Sequence, residues 1–142
     1  MKTYLLDINV LIALAWPVHT HHASTTRWFL KKGRSSWATC PITQCGFVRI
    51  SSNAAIIKDA VRPELALSLI KEMTSDPGHH FWTDDVSITD SQFVFSAMLT
   101  GHRQVNDAYL LALAKKRNGV LATLDKGILV LDKGEGRVEL IA

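Results

Sequence analysis

The stretch Lys2-Thr3-Tyr4-Leu5-Leu6-Asp7-Ile8-Asn9-Val10-Leu11-Ile12-Ala13-Leu14-Ala15 decides the fold. A short apolar run, Tyr4 to Leu6, stops at a carboxylate, and a second apolar run starts at Val10. The first run suits a buried strand and the second the helix that follows it. Asp7 therefore falls at the carboxyl end of a central strand, where open α/β sheets bind ligands. An ionised carboxylate among apolar residues is costly unless it is paired or holds a metal. The rest of the chain is read for what converges on Asp7.

The chain has 142 residues, which suits a single domain over 1–142. With 47% hydrophobic and 20% charged residues it has the makings of a real core and is no disordered chain. A net charge of +3 permits a nucleic-acid partner without showing one. The N-terminus carries an Asp where a signal peptide would be apolar, and no run of about 18 apolar residues exists to span a membrane. Two cysteines, Cys40 and Cys45, cannot build a disulfide framework and favour the cytoplasm. A zinc site on them would need two more ligands, so both read as small buried apolar side chains.

Outward from Asp7, strands and helices alternate. Pro17 ends the first helix near Trp16. After His19, His21 and His22, a second helix runs from Ala23 to Lys32 and is closed by Gly33, with Trp28 and Phe29 facing the core. The histidines read as helix-start or surface residues. Ser36 to Thr39 is a short strand, and Pro41 opens a helix that continues to Ser52 or Asn53, with Gln44 in its first turn. Leu65, Leu69, Ile70 and Met73 give the next helix its apolar face, and His80 to Trp82 is a brief strand. Asp84, Asp85 and Asp90 read as turn and capping residues, the last before an apolar face of Phe93, Val94, Ala97 and Met98. A polar loop from Gly101 leads into a helix over Ala108 to Arg117, with Asp107 at its start. Gly119 to Asp125 is another apolar strand ending in a carboxylate, and Arg137 to Ile141 is the last strand. This alternation predicts an α/β fold, a three-layer sandwich whose short, mostly parallel sheet is flanked by helices.

Asp7 and Asp125 end two strands, Asp107 starts a helix and Gln44 starts another. In a parallel sheet these addresses can share one rim. Like charges gathered there persist as ions only with a cation, and oxygen donors suit Mg²⁺ or Mn²⁺. Such a cation equips a rim for phosphoryl chemistry. Thr123 points to the same side as Asp125 if its strand persists, and Asn9 lies two residues past Asp7; both are candidates to orient the carboxylates or a water.

These residues carry a resemblance. Asp7-Ile8-Asn9-Val10-Leu11-Ile12 resembles the opening motif of PIN-domain nucleases. Asn106 to Ala114 and Ala122-Thr123-Leu124-Asp125-Lys126-Gly127 resemble the third and fourth motifs of the VapC branch. Trp37 to Asn53 resembles the second-motif region of a VapC subgroup. The resemblance implies a PIN domain and a metal-dependent endoribonuclease. It implies the toxin of a type II toxin–antitoxin pair, often a homodimer, neutralised by a VapB antitoxin. Asp7, Asp107 and Asp125 would hold Mg²⁺ or Mn²⁺, with Gln44 beside them. The family usually has Glu where this chain has Gln44, either as a variant of the subgroup or as an inactivating change. The alternative is a PIN-fold module that binds RNA or a protein partner and cleaves weakly or not at all. Arg49, Arg103 and Lys126 are candidates to hold RNA phosphates. A receiver domain would need an acid near Val48 to Asn53 that is absent, and a haloacid-dehalogenase phosphatase needs Asp where Asn9 stands.

Overall fold

The computed structural model describes residues 2–94, 99 and 101–141. β1 (Tyr4–Leu6) leads directly into α1 (Ile8–Ala15), followed by α2 (His22–Trp28), β2 (Trp37–Thr39) and α3 (Pro41–Ser51). The second half holds α4 (Pro63–Met73), β3 (His79–Phe81), α5 (Val105–Lys116), β4 (Val120–Thr123), α6 (Leu129–Asp132) and β5 (Val138–Leu140). The sheet order is β3-β2-β1-β4-β5, and every neighbouring pair is parallel. Chain order runs outward from β1 to β3, then crosses back to β4 on the other side of β1. The order reverses between β1 and β4, and a crevice opens at such a switch point.

Strand alternation splits the core into two layers. Leu5, Ala38 and Leu121 face α5 in one cluster. Tyr4, Leu6, Trp37, Val120 and Ala122 face the other way, with Val10, Leu11, Phe47 and Ile70 from α1, α3 and α4. α1 and α3 approach closely because residue 46 is Gly; a Cβ there would run into the side chain of Ile8. α5 is buried at every position from Ala108 to Ala114. The sheet covers one side, and Trp82, Val86, Val94 and Leu99 from the long connection pack against the same cluster. Glu139 on β5 ties the far edge down, accepting from Trp28 Nε1 at 2.6 Å and from Lys32 Nζ at 2.8 Å.

The fold agrees with the sequence expectation, with local corrections. The second helix turns into a π-helical segment over Phe29–Gly33, and Lys32, exposed at its end, pairs with Glu139. Cys40 is buried, but Cys45 is exposed on the outer side of α3. Leu65 is exposed too, because the inner stripe of α4 runs through Ala66 and Ile70. Asp84 and Asp85 enter no helix; Asp85 pairs with Lys116 and Arg117 at the end of α5. The loop before Asp107 is a 3-10 turn, His102–Gln104, running straight into α5. Of the apolar face proposed after Asp90, Ala97 and Met98 lie outside the described residues. No helix among the described residues is long and apolar enough to cross a membrane.

Candidate functional site

Asp7 follows the last residue of β1 and caps α1. Its backbone N–H reaches Ala122 O on β4 at 3.0 Å, which fixes it at the switch point. Its Oδ1 accepts from the Ile8 N–H at 2.7 Å, and its Oδ2 accepts from Thr123 Oγ1 at 2.8 Å. The side chain is buried. Burial raises its pKa; the bonds from Thr123 and Ile8 pull against that, and the charge of Asp125 adds to the rise.

Thr123 links two of the acids. Its hydroxyl donates to Asp7 and accepts from the Asp125 N–H at 3.0 Å. β4 stops at Thr123, so Asp125 is not a strand residue; it caps the turn Lys126–Ile128, with Oδ1 accepting from the Gly127 N–H at 2.8 Å. Asn9 Oδ1 accepts from the Leu124 N–H at 3.4 Å, so α1 holds the same turn from a second point.

Asp107 sits in the first turn of α5, half-buried. Its pKa is pushed up to about 6, first by burial and then by the charges of Asp7 and Asp125. The rim thus brings the three predicted carboxylates into one another's field. They are coupled rather than assembled, since no group of three His, Cys, Asp or Glu side chains among the described residues forms a ready-made ion site.

Gln44 lies in the first turns of α3, half-buried, at the same end of the sheet. Pro41 at the helix start and the Cys40 N–H bonded to Thr43 Oγ1 at 3.0 Å set where α3 begins. The Gln44 amide donates to Thr39 Oγ1 at 3.0 Å. Arg103 lies just ahead of α5 and Lys126 directly after Asp125, both exposed. Arg49 is exposed in the last turn of α3, about 12 Å along the axis from Pro41, the end away from the rim. The histidines serve the start of α2: the His21 N–H donates to His19 Nδ1 at 3.0 Å, and His22 Nδ1 lies 2.7 Å from Ala13 O.

Reading the sequence missed two polar clusters. Thr39 Oγ1 lies 2.7 Å from His79 Nε2, which places Gln44 at the end of a chain rather than alone. Asp84 lies near Cys40 and Tyr109. It adds to the burial that pushes the thiol to about 11 and the phenol to about 12, yet the Tyr109 hydroxyl has no hydrogen-bond partner among the described residues. A groove of about 630 Å³, lined by Leu14, Phe29, Trp37, Leu69 and Met73 among others, lies on the α1, α2 and α4 side, away from the carboxylates.

Fold and rim together define an α/β protein with a carboxylate-lined switch point. The PIN domain pattern matches residues 4–134, and the chain belongs to the PIN-domain family. Within that family it falls on the VapC branch. It is 44% identical over 126 residues to Ribonuclease VapC39 of Mycobacterium tuberculosis, covering 89% of this chain and 91% of that one. It is 42% identical over 127 residues to Ribonuclease VapC38 of the same species, covering 89% and 88%. Among solved structures, the fold resembles DNA-bound VapBC from Salmonella typhimurium, with a TM-score of 0.65 and 16% identity over the full length of both chains. It also resembles VapBC2 from Rickettsia felis bound to a promoter DNA fragment, with a TM-score of 0.63 and 13% identity over 98% of each.

Proposed function

We propose that this chain is a metal-dependent endoribonuclease, the toxin of a type II toxin–antitoxin pair, acting on RNA in the cytoplasm. The observation that carries the reading is the gathering of Asp7, Asp107 and Asp125 at the switch point, where burial first, and then the charges of Asp7 and Asp125, raise Asp107 to about 6. A divalent cation would relieve that repulsion, and the donors are hard oxygens, the chemistry Mg²⁺ and Mn²⁺ take. Asp7, Asp107 and Asp125 would hold the ion. When bound, it supplies a water of lowered pKa and offsets charge on the phosphate oxygens.

The chain's own residues do the positioning. Thr123 restrains Asp7 Oδ2 and the Asp125 backbone at once, so two carboxylates from opposite ends of the sequence keep one spacing. Asn9 holds the same turn through Leu124. Arg103 and Lys126 flank the acids and take RNA phosphates, offsetting a rim that would otherwise repel the substrate. Arg49 contributes, if at all, to a more distant stretch of the strand. The names of the relatives support RNA as substrate, and the VapBC pairs among the structural neighbours support a VapB-type antitoxin as partner. A homodimer belongs to the same proposal, and exposed Leu65 and Leu67 on α4 offer apolar area for one.

The alternative is a binding module that cleaves weakly or not at all. It is favoured by Gln44, which brings no charge where the family usually has Glu. RNA cleavage by the purified chain in Mn²⁺, Mg²⁺ or EDTA, beside Asp7→Asn, separates the readings. Metal-dependent cleavage lost in Asp7→Asn is the expected result. RNA affinity without turnover in either metal would move the assignment to the binding module.

A further inference from the structure

Thr39 ends β2 with its side chain fully buried, and two nitrogens meet its hydroxyl. Gln44 Nε2 lies 3.0 Å away and His79 Nε2 lies 2.7 Å away. The hydroxyl owns one proton. An amide nitrogen only donates, so Gln44 gives its proton to Thr39 Oγ1, and Thr39 gives its own to the imidazole. No other acceptor meets that hydroxyl proton among the described residues, so the imidazole accepts it at Nε2. The Thr74 backbone is consistent with this, since it favours the protonated ring, as a carbonyl facing a ring N–H does. A neutral ring has one N–H. Kept at Nδ1, it leaves Nε2 bare for Thr39. Both donors in the chain then point one way, from Gln44 to Thr39 to His79.

The reverse arrangement fails at its far end. With the amide turned over, Thr39 would donate to the Gln44 oxygen and His79 would have to donate from Nε2. The neutral ring would then present a lone pair to the Thr74 carbonyl. The ring is not free to escape, because it packs edge-on against Trp37 with centroids 4.8 Å apart. Trp37 is itself anchored, Nε1 donating to Asp76 Oδ2 at 2.9 Å. Burial and His80 lower the pKa of His79, with Asp76 and Thr74 acting against them, which favours the neutral ring.

We infer that Thr39 and His79 are positioning residues that hold the Gln44 amide with its N–H turned into the sheet and its carbonyl oxygen turned away from it, toward the rim. Gln44 is then a matched part of the site and not a spoiled acid. A Glu at 44 has no proton to give. It would take the Thr39 proton and demand an N–H at His79 Nε2, so the ring as it stands, bare at Nε2, selects Gln. The relay follows from the hydrogen bonds alone; only the use of the outward oxygen in cleavage rests on the nuclease reading above. β2 lies beside β1, so that oxygen is offered one strand from Asp7.

The test is the protonation state of His79 in the ¹⁵N-histidine-labelled protein, read by long-range ¹H–¹⁵N correlation. The expected wild-type result is a neutral ring with its proton on Nδ1. Thr39→Ser should keep it, and Gln44→Glu should place a proton on Nε2. A wild-type ring protonated on Nε2, or a Gln44→Glu ring unchanged from wild type, would overturn the inference. In RNA cleavage, Thr39→Val should lower kcat about tenfold to a hundredfold with KM little changed, and Thr39→Ser should restore it. Equal kcat in Thr39→Val and wild type would remove the positioning role. A wild-type chain that cuts no RNA would sink the nuclease reading, and the histidine spectrum would still decide the relay.

Discussion

At the β1/β4 end of the rim, Asp7, Asp107 and Asp125 raise the cost of one another's charge. At the β2/β3 end, the neutral side chains of Thr39, Gln44 and His79 are joined by two hydrogen bonds that meet at the Thr39 hydroxyl. Both ends are polar groups placed next to a hydrophobic core, and they meet that cost in opposite ways. The neutral end ties its groups to one another through its own hydrogen bonds. The acidic end is left open, because its groups are restrained but not neutralised. A folded chain keeps such unrelieved charge where something from outside relieves it.

The contrast can be broken first at its acidic end. Asp107→Asn should abolish metal-dependent RNA cleavage, a loss of about a thousandfold or more, with the fold intact by circular dichroism. Cleavage within tenfold of wild type would remove Asp107 from the site. Thr123→Val is next. It strips Asp7 of one hydrogen bond and Asp125 of another, and should cost about tenfold to a hundredfold in kcat and about 1–3 kcal/mol in urea unfolding. A variant as stable as wild type would show that the Thr123 bridge carries no weight.

The third prediction concerns pH. The Asp107 carboxyl is held at about 6, above its ordinary 3.8, and Asp7 moves the same way. A carboxyl raised by folding binds a proton more tightly in the folded chain than in the unfolded one. Without metal, stability should therefore fall as pH rises from about 3.8 toward about 6, with Asp107→Asn reducing that fall. Mg²⁺ should raise Tm more at pH 7 than at pH 5, where protons compete for the same oxygens; equal shifts at both would separate the ion from these carboxylates. The smallest effect is at the flank. Arg103→Ala should reduce the slope of log affinity against log salt by about one for RNA binding, and an unchanged slope would take Arg103 off the substrate path.

Much of the acidic end was legible in sequence, because each acid interrupts an apolar segment at the point where a strand ends or a helix begins. Such a break is local and needs no tertiary knowledge. Thr123 and Asn9 were within reach for the same reason, lying two residues from Asp125 and Asp7. The neutral end was not legible. Thr39 and His79 are 40 residues apart, and only the pairing of β2 with β3 brings them together. The π-helical segment at Phe29–Gly33 escaped because an extra residue in a turn leaves the apolar spacing nearly helical. Cys45 and Leu65 were misplaced because composition says which residues favour burial and not which way a helix is rolled.

The bond from Thr123 to Asp7 spans 116 residues of sequence. A chain emerging from the ribosome therefore displays Asp7 long before it contains the hydroxyl that restrains it or the two acids that complete the rim. β1 sits at the centre of the sheet with one neighbour, β4, made near the end of synthesis. Chains that stop before residue 107 hold one acid of the three, and longer ones that stop before residue 125 hold two. On the nuclease reading proposed above, activity then begins only as translation of this protein closes.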